Sequence, residues 1–443
     1  MYKRLRTYSE KDRAIFHMPG TKGGKALPPK EVRDVMCLDL TELAGTDNLF
    51  APRSIIADME THISGIYHSN HSFLMTGGST VGILAALSYL CPQGGTLITD
   101  RNMHVSVLNA MILLDIQPIF LHPRYDTQFG VTTRIGMADL LETLNKHPDA
   151  KGLFLTSPNY YGITQKIDGP LIEKLHNKGM YLVADEAHGA HFPFSPLLPN
   201  SMLDMGADIV IQSAHKTLPA PTGAAFLHIS NRIDGLRIKD HLRLYHTTSP
   251  SYITMAYTDL ALQLMQKEGQ QVFENLQTMM TDFPLAVMQN DDFSRLVLHV
   301  PPEMGTGQEL SAFLDTQYDV TVEMADLQNI VCICGKGNTK RDFDRLRDGI
   351  SRYIQLAHKP RKNIGTPPPQ GKMAMRPRQA FLEEKTETTI QNATGHICGE
   401  MIVPYPPGIP IIIPGEVITT EMIDYLHQFH QKDTIQTLPK HKK

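Results

Sequence analysis

Between Phe73 and Ser230 the chain repeats one pattern, in which a short apolar run ends in small or polar residues. The runs are FLMTGG, GTLITD, PIFLHP, GLFLTSP, YLVADEA, DIVIQSAHK and GAAFLHIS. Their apolarity is continuous rather than alternating, which is typical of strands buried on both faces of a sheet. Amphipathic stretches such as STVGILAALSYL separate them. The pattern predicts an α/β fold with a mostly parallel central sheet covered by helices on both faces.

Ligands of such sheets bind beyond the carboxyl ends of the strands. Polar and small residues cluster at five of these ends. They occupy residues 77–80, 100–104, 156–161, 185–188 and 213–216. We therefore expect one site that all five strand ends line.

The rest of the chain divides by pattern. A long helix is predicted at about 254–280, and RLVLHV, NIVCICG and DFDRLRDGISRYIQLA beyond it predict a smaller α+β unit. The apolar run at 404–416 contains five prolines, so we expect a rigid packed loop rather than a central strand. The predicted parts are an arm at 1–50, a large domain at 51–285 and a C-terminal α+β region at 286–443, with a Pro-rich basic linker near 358–377.

The composition of the chain limits the kinds of binding partner that can be expected. The 42 basic and 46 acidic residues give a net charge of −4, so neither nucleic acid nor an anionic membrane is an expected partner. The five cysteines are scattered and fit no disulfide framework. No apolar run has the length of a membrane span, and the basic start lacks the apolar core of a signal peptide. These features predict a cytoplasmic protein that binds a small molecule.

Lys216 is the first candidate for chemistry. It follows a buried strand, and a Pro/Gly turn then leads into the next strand. A lysine packed among small and apolar residues is partly desolvated, so its amine can act as a nucleophile and form a Schiff base. A lone lysine in a turn is more often a surface residue. The interpretation therefore depends on the neighbouring strand ends.

Two of those ends offer groups for a phosphorylated pyridine. Asp185 ends the strand YLVAD, where a carboxylate can keep a ring nitrogen protonated, although a helix cap or an ion pair is an alternative. Gly78 and Ser79 open a helix, where N–H groups and a hydroxyl suit one phosphate, or form an ordinary cap. The segment lacks the Walker A lysine and the GxGxxG spacing, so neither type of nucleotide is favoured.

The histidines allow several interpretations. His104 can stack on a flat ring or cap a helix, and His215 can assist proton transfer or be a satisfied core histidine. The run DEAHGAH also offers a rival metal site. Its four ligands would be Asp185, Glu186, His188 and His191. The HExxH pattern and a distant cysteine pair are absent, so no metal is predicted.

Nine short motifs follow one another along nearly the whole chain. They are HMPGTKGG (17–24), GTDNLFAP (45–52), GGST (77–80), DRNMHVS (100–106), TSPNYYG (156–162), DEAHGAH (185–191), SAHKTLPAPTG (213–223), MRPRQAF (375–381) and PYPPGIPIIIPGE (404–416). With these motifs in this order, the chain resembles the major ornithine/lysine/arginine decarboxylase family of bacteria. The resemblance implies a fold type I, aspartate aminotransferase-like enzyme with pyridoxal 5′-phosphate as cofactor. It also implies a short form without the N-terminal wing domain of the long members.

The resemblance assigns roles by position. Lys216 would form the covalent link to the cofactor, Asp185 would pair with the pyridine nitrogen and His104 would stack on the ring. The phosphate would be held by Ser79, Ser213 and the backbone of Gly78. His188 and His215 would lie near the cofactor and the reacting carbon.

The implied function is decarboxylation of arginine, lysine or ornithine to a polyamine or its precursor. One alternative is an aminotransferase with the same cofactor, which would also need a keto acid. Another is a catalytically silent regulatory homologue, although the presence of both Lys216 and Asp185 argues against a passive scaffold. The resemblance further implies a homodimer with shared active sites.

Overall fold

The computed structural model describes residues 14–16, 47–361, 365–403, 408–427 and 433–439. Seven strands form the central sheet. They are β2 (His71–Met75), β3 (Gly95–Asp100), β4 (Ile116–Leu121), β7 (Gly152–Thr156), β8 (Tyr181–Asp185), β9 (Ile209–Gln212) and β10 (Ala225–Ile229). Their order is β2-β10-β9-β8-β7-β3-β4, and β10 runs antiparallel to both of its neighbours while the other pairs are parallel. The prediction of a mostly parallel sheet is confirmed.

Helices cover both faces of this sheet. They are α1 (Ile55–Tyr67), α2 (Ser79–Leu90), α3 (Val105–Leu114), α4 (Met137–Lys146), α5 (Gly169–Asn177), α6 (Ala214–Thr217), α7 (Gly235–Tyr245) and α8 (Tyr252–Met279). Phe154 and Val183 pack with α2, α3 and α7, whereas Leu153 and Leu182 pack with α4 and α5. Successive strand residues thus enter opposite cores, which is why the strand sequences are apolar throughout. Each buried side chain of this size stabilises the fold by about 1.5 to 3 kcal/mol.

The segment before α1 is fixed by one carboxylate. Asp47 accepts hydrogen bonds from the backbone N–H groups of Arg53, Ser54 and Ile56 at 2.9, 2.9 and 3.0 Å. The hydroxyl of Tyr252, the first residue of α8, donates to the Asp47 carbonyl. These bonds join the start of α1 to the start of the long helix. Residues 17–24 and 45–46 of the motifs above lie outside the described residues.

A second sheet follows α8. Its strands are β11 (Ala286–Val287), β12 (Arg295–His299), β14 (Met324–Ala325) and β15 (Asn329–Ile333), in the antiparallel order β11-β12-β15-β14. Helices α9 (Gly307–Tyr318) and α10 (Lys340–Ile354) accompany it. Strand β13 (Val320–Val322) pairs in parallel with β1 (Ala14–Phe16), and β5 (Tyr125–Asp126) forms a short ladder with β6 (Val131–Thr132). The predicted long helix and the α+β unit are both present.

The C-terminal part has its own small core. Its elements are β16 (Lys372–Met373), α11 (Pro377–Leu382), β17 (Thr386–Thr389), β18 (Glu416–Val417), α12 (Thr420–Leu426) and β19 (Thr434–Thr437). Within the proline-rich run, Ile411, Ile412 and Ile413 are buried and belong to no strand, as expected for a packed loop; residues 404–407 lie outside the described residues. The predicted domain boundaries stay predictions. In the described part of the chain, no helix combines the length and apolarity that a membrane crossing requires.

Candidate active site

Five strand ends meet at one edge of the central sheet, because β2, β3, β7, β8 and β9 point the same way. Backbone bonds join the loops that leave them. The Ser213 N–H donates to the Ala187 carbonyl at 3.3 Å, and the Gly78 N–H donates to the Gly223 carbonyl at 2.8 Å. The loops are therefore held as one surface, where the sequence predicted a site.

Lys216 lies in α6, the single helical turn that follows β9. Its Nζ is 3.0 Å from Nε2 of His188, which belongs to the loop after β8. Burial lowers the pKa of Lys216, and the nearby charge of Arg295 acts in the same direction, while Asp185 and Glu323 oppose it. The structure thus provides a half-buried amine whose unprotonated, nucleophilic form is favoured relative to a lysine in water.

Asp185 ends β8 and is 3% exposed. One carboxylate oxygen accepts from the Ala187 N–H at 3.1 Å. Its charge acts on Lys216, but no ion pair within 4 Å joins Asp185 to a cation among the described residues. A carboxylate that is buried without a protein cation is costly unless a ligand supplies the charge. A protonated pyridine nitrogen fits that requirement, so the residue type and its burial agree with the expected cofactor.

A second buried carboxylate, Asp100, lies at the end of β3, which β7 separates from β8 in the sheet. Asp100 accepts from the Thr156 N–H through Oδ2, while its buried Oδ1 has no partner in the described part of the structure. Burial raises the pKa of Asp100 to about 7, and the nearby charge of Asp185 adds to this. Asp100 is therefore neutral in mildly acidic solution.

The raised pKa of Asp100 predicts a pH dependence of stability. A carboxyl group with a folded-state pKa of about 7, against 3.8 in the unfolded chain, contributes stability below about pH 4 that is lost as the pH rises through 7. Asp100→Asn should therefore flatten the fall in unfolding midpoint between about pH 4 and pH 7. Urea unfolding of both proteins at several pH values measures this, and parallel curves would contradict it.

His104 is the N-cap of α3. Its Nδ1 accepts from the Ser106 N–H at 3.2 Å and lies 2.8 Å from the Ser106 hydroxyl. Burial lowers its pKa, and its ionisation is sensitive to Asp185 and Lys216, which places the ring in their neighbourhood. Both sequence interpretations thus apply: the ring caps a helix, and it lies at the site. Stacking on a cofactor ring stays a prediction.

The predicted phosphate cradle has two described parts. Helix α2 begins at Ser79, so the first-turn amides of Ser79 and Thr80 lack acceptors within the helix. The hydroxyl of Ser213 is buried and has no hydrogen-bond partner in the described residues. An unpartnered buried hydroxyl fits an acceptor such as a phosphate oxygen. The Gly78 N–H is already used by Gly223, so the free donors come from the helix start rather than from Gly78.

The unpartnered hydroxyl gives a testable result. Ser213→Ala should weaken pyridoxal phosphate binding by roughly tenfold, because one hydrogen bond to a charged group is worth about 1.5 to 3 kcal/mol. It should leave folding stability unchanged. Ser201→Ala is the matched control, because the Ser201 hydroxyl donates to Glu186 at 2.6 Å and its loss should lower stability without affecting cofactor affinity. Equal cofactor affinities for wild type and Ser213→Ala would contradict the prediction.

The rival metal site is not assembled. Glu186 accepts from Ser201, Met202 and Gln212 inside the core, and His191 Nε2 lies 3.2 Å from Asp292. Within the described ranges, no three candidate ligands come together around a common point. Of the two histidines predicted near the reacting carbon, His188 contacts Lys216, whereas His215, the one predicted to assist proton transfer, directs Nδ1 to the Ala224 carbonyl at 2.9 Å.

The structure also brings in residues that the sequence did not single out. Arg295, from β12 of the second sheet, is 2.9 Å from Nδ1 of His188 through Nη2. The Tyr160 ring lies 4.7 Å from the His188 ring, and its hydroxyl donates to Glu323 at 3.2 Å. The only sequence signal for Tyr160 was its place in the polar cluster at 156–161. Arg295 and Glu323 carried none.

The fold and this site define a fold type I pyridoxal-phosphate-dependent enzyme. Its strand ends carry a half-buried lysine, a buried carboxylate and a buried hydroxyl that has no partner among the described residues. The family model for the Orn/Lys/Arg decarboxylase major domain matches residues 1–305, and that for the C-terminal domain matches residues 366–439. The chain belongs to the Orn/Lys/Arg decarboxylase family. It is a pyridoxal-phosphate-dependent decarboxylase that acts on a basic amino acid, which confirms the predicted reaction, fold class and cofactor.

Individual proteins show the same relationship. The arginine decarboxylase of Bacillus subtilis (strain 168) is 30% identical, over 96% of this chain and 92% of that protein. The solved structure of the E. coli constitutive lysine decarboxylase superposes with a TM-score of 0.76 at 18% identity, covering 99% of this chain and 81% of that one. An alanine–glyoxylate aminotransferase from Nostoc sp. matches at a TM-score of 0.58 and 14% identity, over 78% of this chain and 96% of that chain.

Proposed function

We propose that the preferred substrate of this decarboxylase is arginine and that Lys216, Asp185 and His188 are its central residues. The observation that carries the residue assignment is the contact of 3.0 Å between the half-buried Lys216 amine and the buried ring of His188, on the sheet edge that also carries the buried carboxylate of Asp185. The higher sequence identity to an arginine decarboxylase than to a lysine decarboxylase supports the substrate.

Each residue has a defined task in this proposal. When bound, pyridoxal phosphate supplies the electron sink that accepts the electrons left by departing CO2. Asp185 would hold the proton on the ring nitrogen, and the hydroxyl of Ser213 with the start of α2 would anchor the phosphate. His104 would lie against the ring. The Lys216 amine would hold the cofactor covalently.

Loss of CO2 leaves a carbon that must take up a proton. Lys216 Nζ and His188 Nε2 lie 3.0 Å apart, so they can hold that proton and return it on one side of the site. His215 is next in sequence to Lys216, and burial lowers its pKa, so it is neutral at pH 7. Decarboxylation requires no base at Cα, so the Cα–H bond of the substrate stays intact during the reaction.

A carboxylate for the distal cation of the substrate also lies near. The charge of Glu323 reaches Lys216, and Tyr160 hydrogen-bonds Glu323 while packing beside His188. A planar guanidinium pairs with a carboxylate in a bidentate manner and stacks on aromatic faces, which an ammonium does less well. We assign Glu323 and Tyr160 to the end of the site that faces the substrate side chain.

A substrate panel tests this proposal. With arginine, lysine and ornithine supplied separately, we expect CO2 release in all productive reactions, no stimulation by a keto acid, and the highest kcat/KM for arginine. Glu323→Gln should lower kcat/KM for arginine by about 10- to 100-fold, mainly through KM, because the cation loses a charged partner. A higher kcat/KM for lysine or ornithine would overturn the substrate assignment. Turnover that requires a keto acid would instead indicate an aminotransferase.

The proposal includes a cytoplasmic homodimer with shared active sites. A dimer supports the function because a second copy can complete a substrate pocket that opens at the sheet edge. Activity that persists in a monomer at high dilution would contradict shared sites.

A further inference from the structure

Arg295 joins the second sheet to the active site. It is the first residue of β12 and only 1% exposed. Its Nη2 lies 2.9 Å from Nδ1 of His188 and 3.3 Å from the His188 backbone carbonyl, so one nitrogen holds both the ring and the backbone of that residue. The guanidinium therefore restrains the orientation of the imidazole as well as its position.

Burial of this arginine costs free energy that its hydrogen bonds do not fully offset. Its Nε and Nη1 are enclosed and have no hydrogen-bond partner in the described part of the protein. A buried guanidinium with unpartnered donors costs several kcal/mol of desolvation, and an apolar side chain of similar volume would be at least as stabilising. Stability alone does not account for an arginine here.

The proton positions follow from the donor inventory. A guanidinium has five N–H donors and no acceptor, so the ring nitrogen that faces it must be an acceptor. Nδ1 of His188 is therefore unprotonated, and the ring proton is on Nε2. That N–H points at Lys216 Nζ across 3.0 Å, and the amine can accept it only through a free lone pair. The two hydrogen bonds that connect Arg295, His188 and Lys216 are therefore consistent only with a neutral imidazole and a neutral amine.

We propose that Arg295 is a positioning residue that fixes His188 as the neutral Nε2–H tautomer, so that the imidazole donates to Lys216 and keeps that amine free of its proton. The role deepens the decarboxylase function, because a lysine must be unprotonated to attach the cofactor and must regain a proton to give one to the substrate. His188 becomes the group through which Arg295 acts.

The surrounding charges agree with this role. Lys216 is faced by Asp185 at the end of β8, by Glu323 before β14, by Arg295 on β12 and by the rings of His188 and His104. The pKa of His188 lies well below its usual range, first because of burial and then because of Lys216 and Arg295. The two carboxylates favour the charged lysine, and Arg295 is the fixed cation that opposes them.

The test is the tautomer of His188, measured by nitrogen NMR on the full-length protein labelled with ¹⁵N-histidine. The signal is assigned by its loss in His188→Gln, and spectra are recorded with and without pyridoxal phosphate. We expect wild type to show an unprotonated Nδ1, a protonated Nε2 and no titration across the neutral range. Arg295→Met should bring in the other tautomer or the imidazolium. Arg295→Lys keeps a cationic donor and should preserve the wild-type signal.

Arg134→Met is the matched control. Arg134 donates to the Thr164 carbonyl and to Asp291, and it makes no hydrogen bond to His188 among the described residues. It should leave the His188 signal unchanged. A wild-type proton on Nδ1 would overturn the inference, even if Arg295→Met fails to fold. An unchanged single tautomer in a folded Arg295→Met protein would overturn it as well.

Kinetics and absorbance give a second reading. In Arg295→Met we expect kcat to fall by roughly 10- to 100-fold with little change in KM, because proton transfer rather than substrate binding is affected. The pH midpoint of the cofactor absorbance should rise in both variants. The rise should be smaller in Arg295→Lys than in Arg295→Met. If no basic amino acid is decarboxylated while the Nε2–H tautomer is observed, the substrate proposal fails and the role of Arg295 in setting the tautomer stands.

Discussion

Lys216→Ala should lower decarboxylase activity by about 10⁴-fold or more, because no other group replaces a lysine that attaches the cofactor. Borohydride reduction of the wild-type holoenzyme should fix pyridoxal phosphate on the peptide that contains Lys216, and the variant should carry no reducible link. The two measurements are residual CO2 release and mass mapping of the reduced protein. Cofactor fixed to another lysine would refute the assignment of Lys216.

Lys239→Ala is a matched control for this substitution. Lys239 lies in α7, and burial lowers its pKa as it does that of Lys216, but its charged neighbours are Glu60, Arg243, Asp47 and Asp240 rather than the site. Its removal should leave both activity and the reducible link intact. The comparison distinguishes the effect of removing any partly buried lysine from the effect of removing the lysine that contacts His188.

Asp185→Asn should reduce kcat by roughly 10²- to 10³-fold, because an amide cannot hold a proton on the cofactor ring and removing one partner of a buried charge pair costs about 3 to 5 kcal/mol. The fold should persist, since the Asn oxygen can still accept from the Ala187 N–H that now bonds Asp185. Absorbance of the bound cofactor and single-turnover rates measure the effect. Near-normal turnover in a folded variant would exclude the ring-nitrogen role.

Asp100→Asn provides the comparison for Asp185→Asn. Both carboxylates end neighbouring parts of the same sheet edge, and both are buried. Asp100 is neutral at pH values below its pKa of about 7, so a neutral amide replaces it closely in mildly acidic solution. Activity near that of wild type is expected for Asp100→Asn. Equal losses in the two variants would mean that the strand-end geometry, rather than the charge of Asp185, matters.

The sequence predicted the central sheet and the residues at its strand ends for a local reason. A parallel strand buried on both faces is apolar throughout, so the first polar residue marks the end of the strand and the edge at which ligands bind. Asp185 and Lys216 were found in this way, and so was Ser213. The β10 strand shows the limit of the pattern, since a continuous apolar run does not distinguish an antiparallel neighbour from a parallel one.

The sequence did not identify Arg295 and Glu323 as candidate site residues, because their function comes from tertiary contacts. Arg295 is 107 positions from His188, and in RLVLHV it has the pattern of a charged residue at the start of an exposed strand. Nothing local distinguishes a buried guanidinium from one in solvent. His104 shows the related difficulty, since its cap contact with Ser106 is local whereas its proximity to Asp185 and Lys216 depends on the whole sheet.

The most direct test of the central claim uses arginine labelled with ¹³C at the carboxyl group and deuterium at Cα. Decarboxylation at the Lys216 site breaks the bond to the carboxylate and leaves the Cα–H bond intact. We expect one ¹³CO2 for each agmatine formed, full retention of deuterium in agmatine, and no product with Lys216→Ala. Loss of the deuterium, formation of the keto acid without ¹³CO2, or turnover by Lys216→Ala would contradict the account.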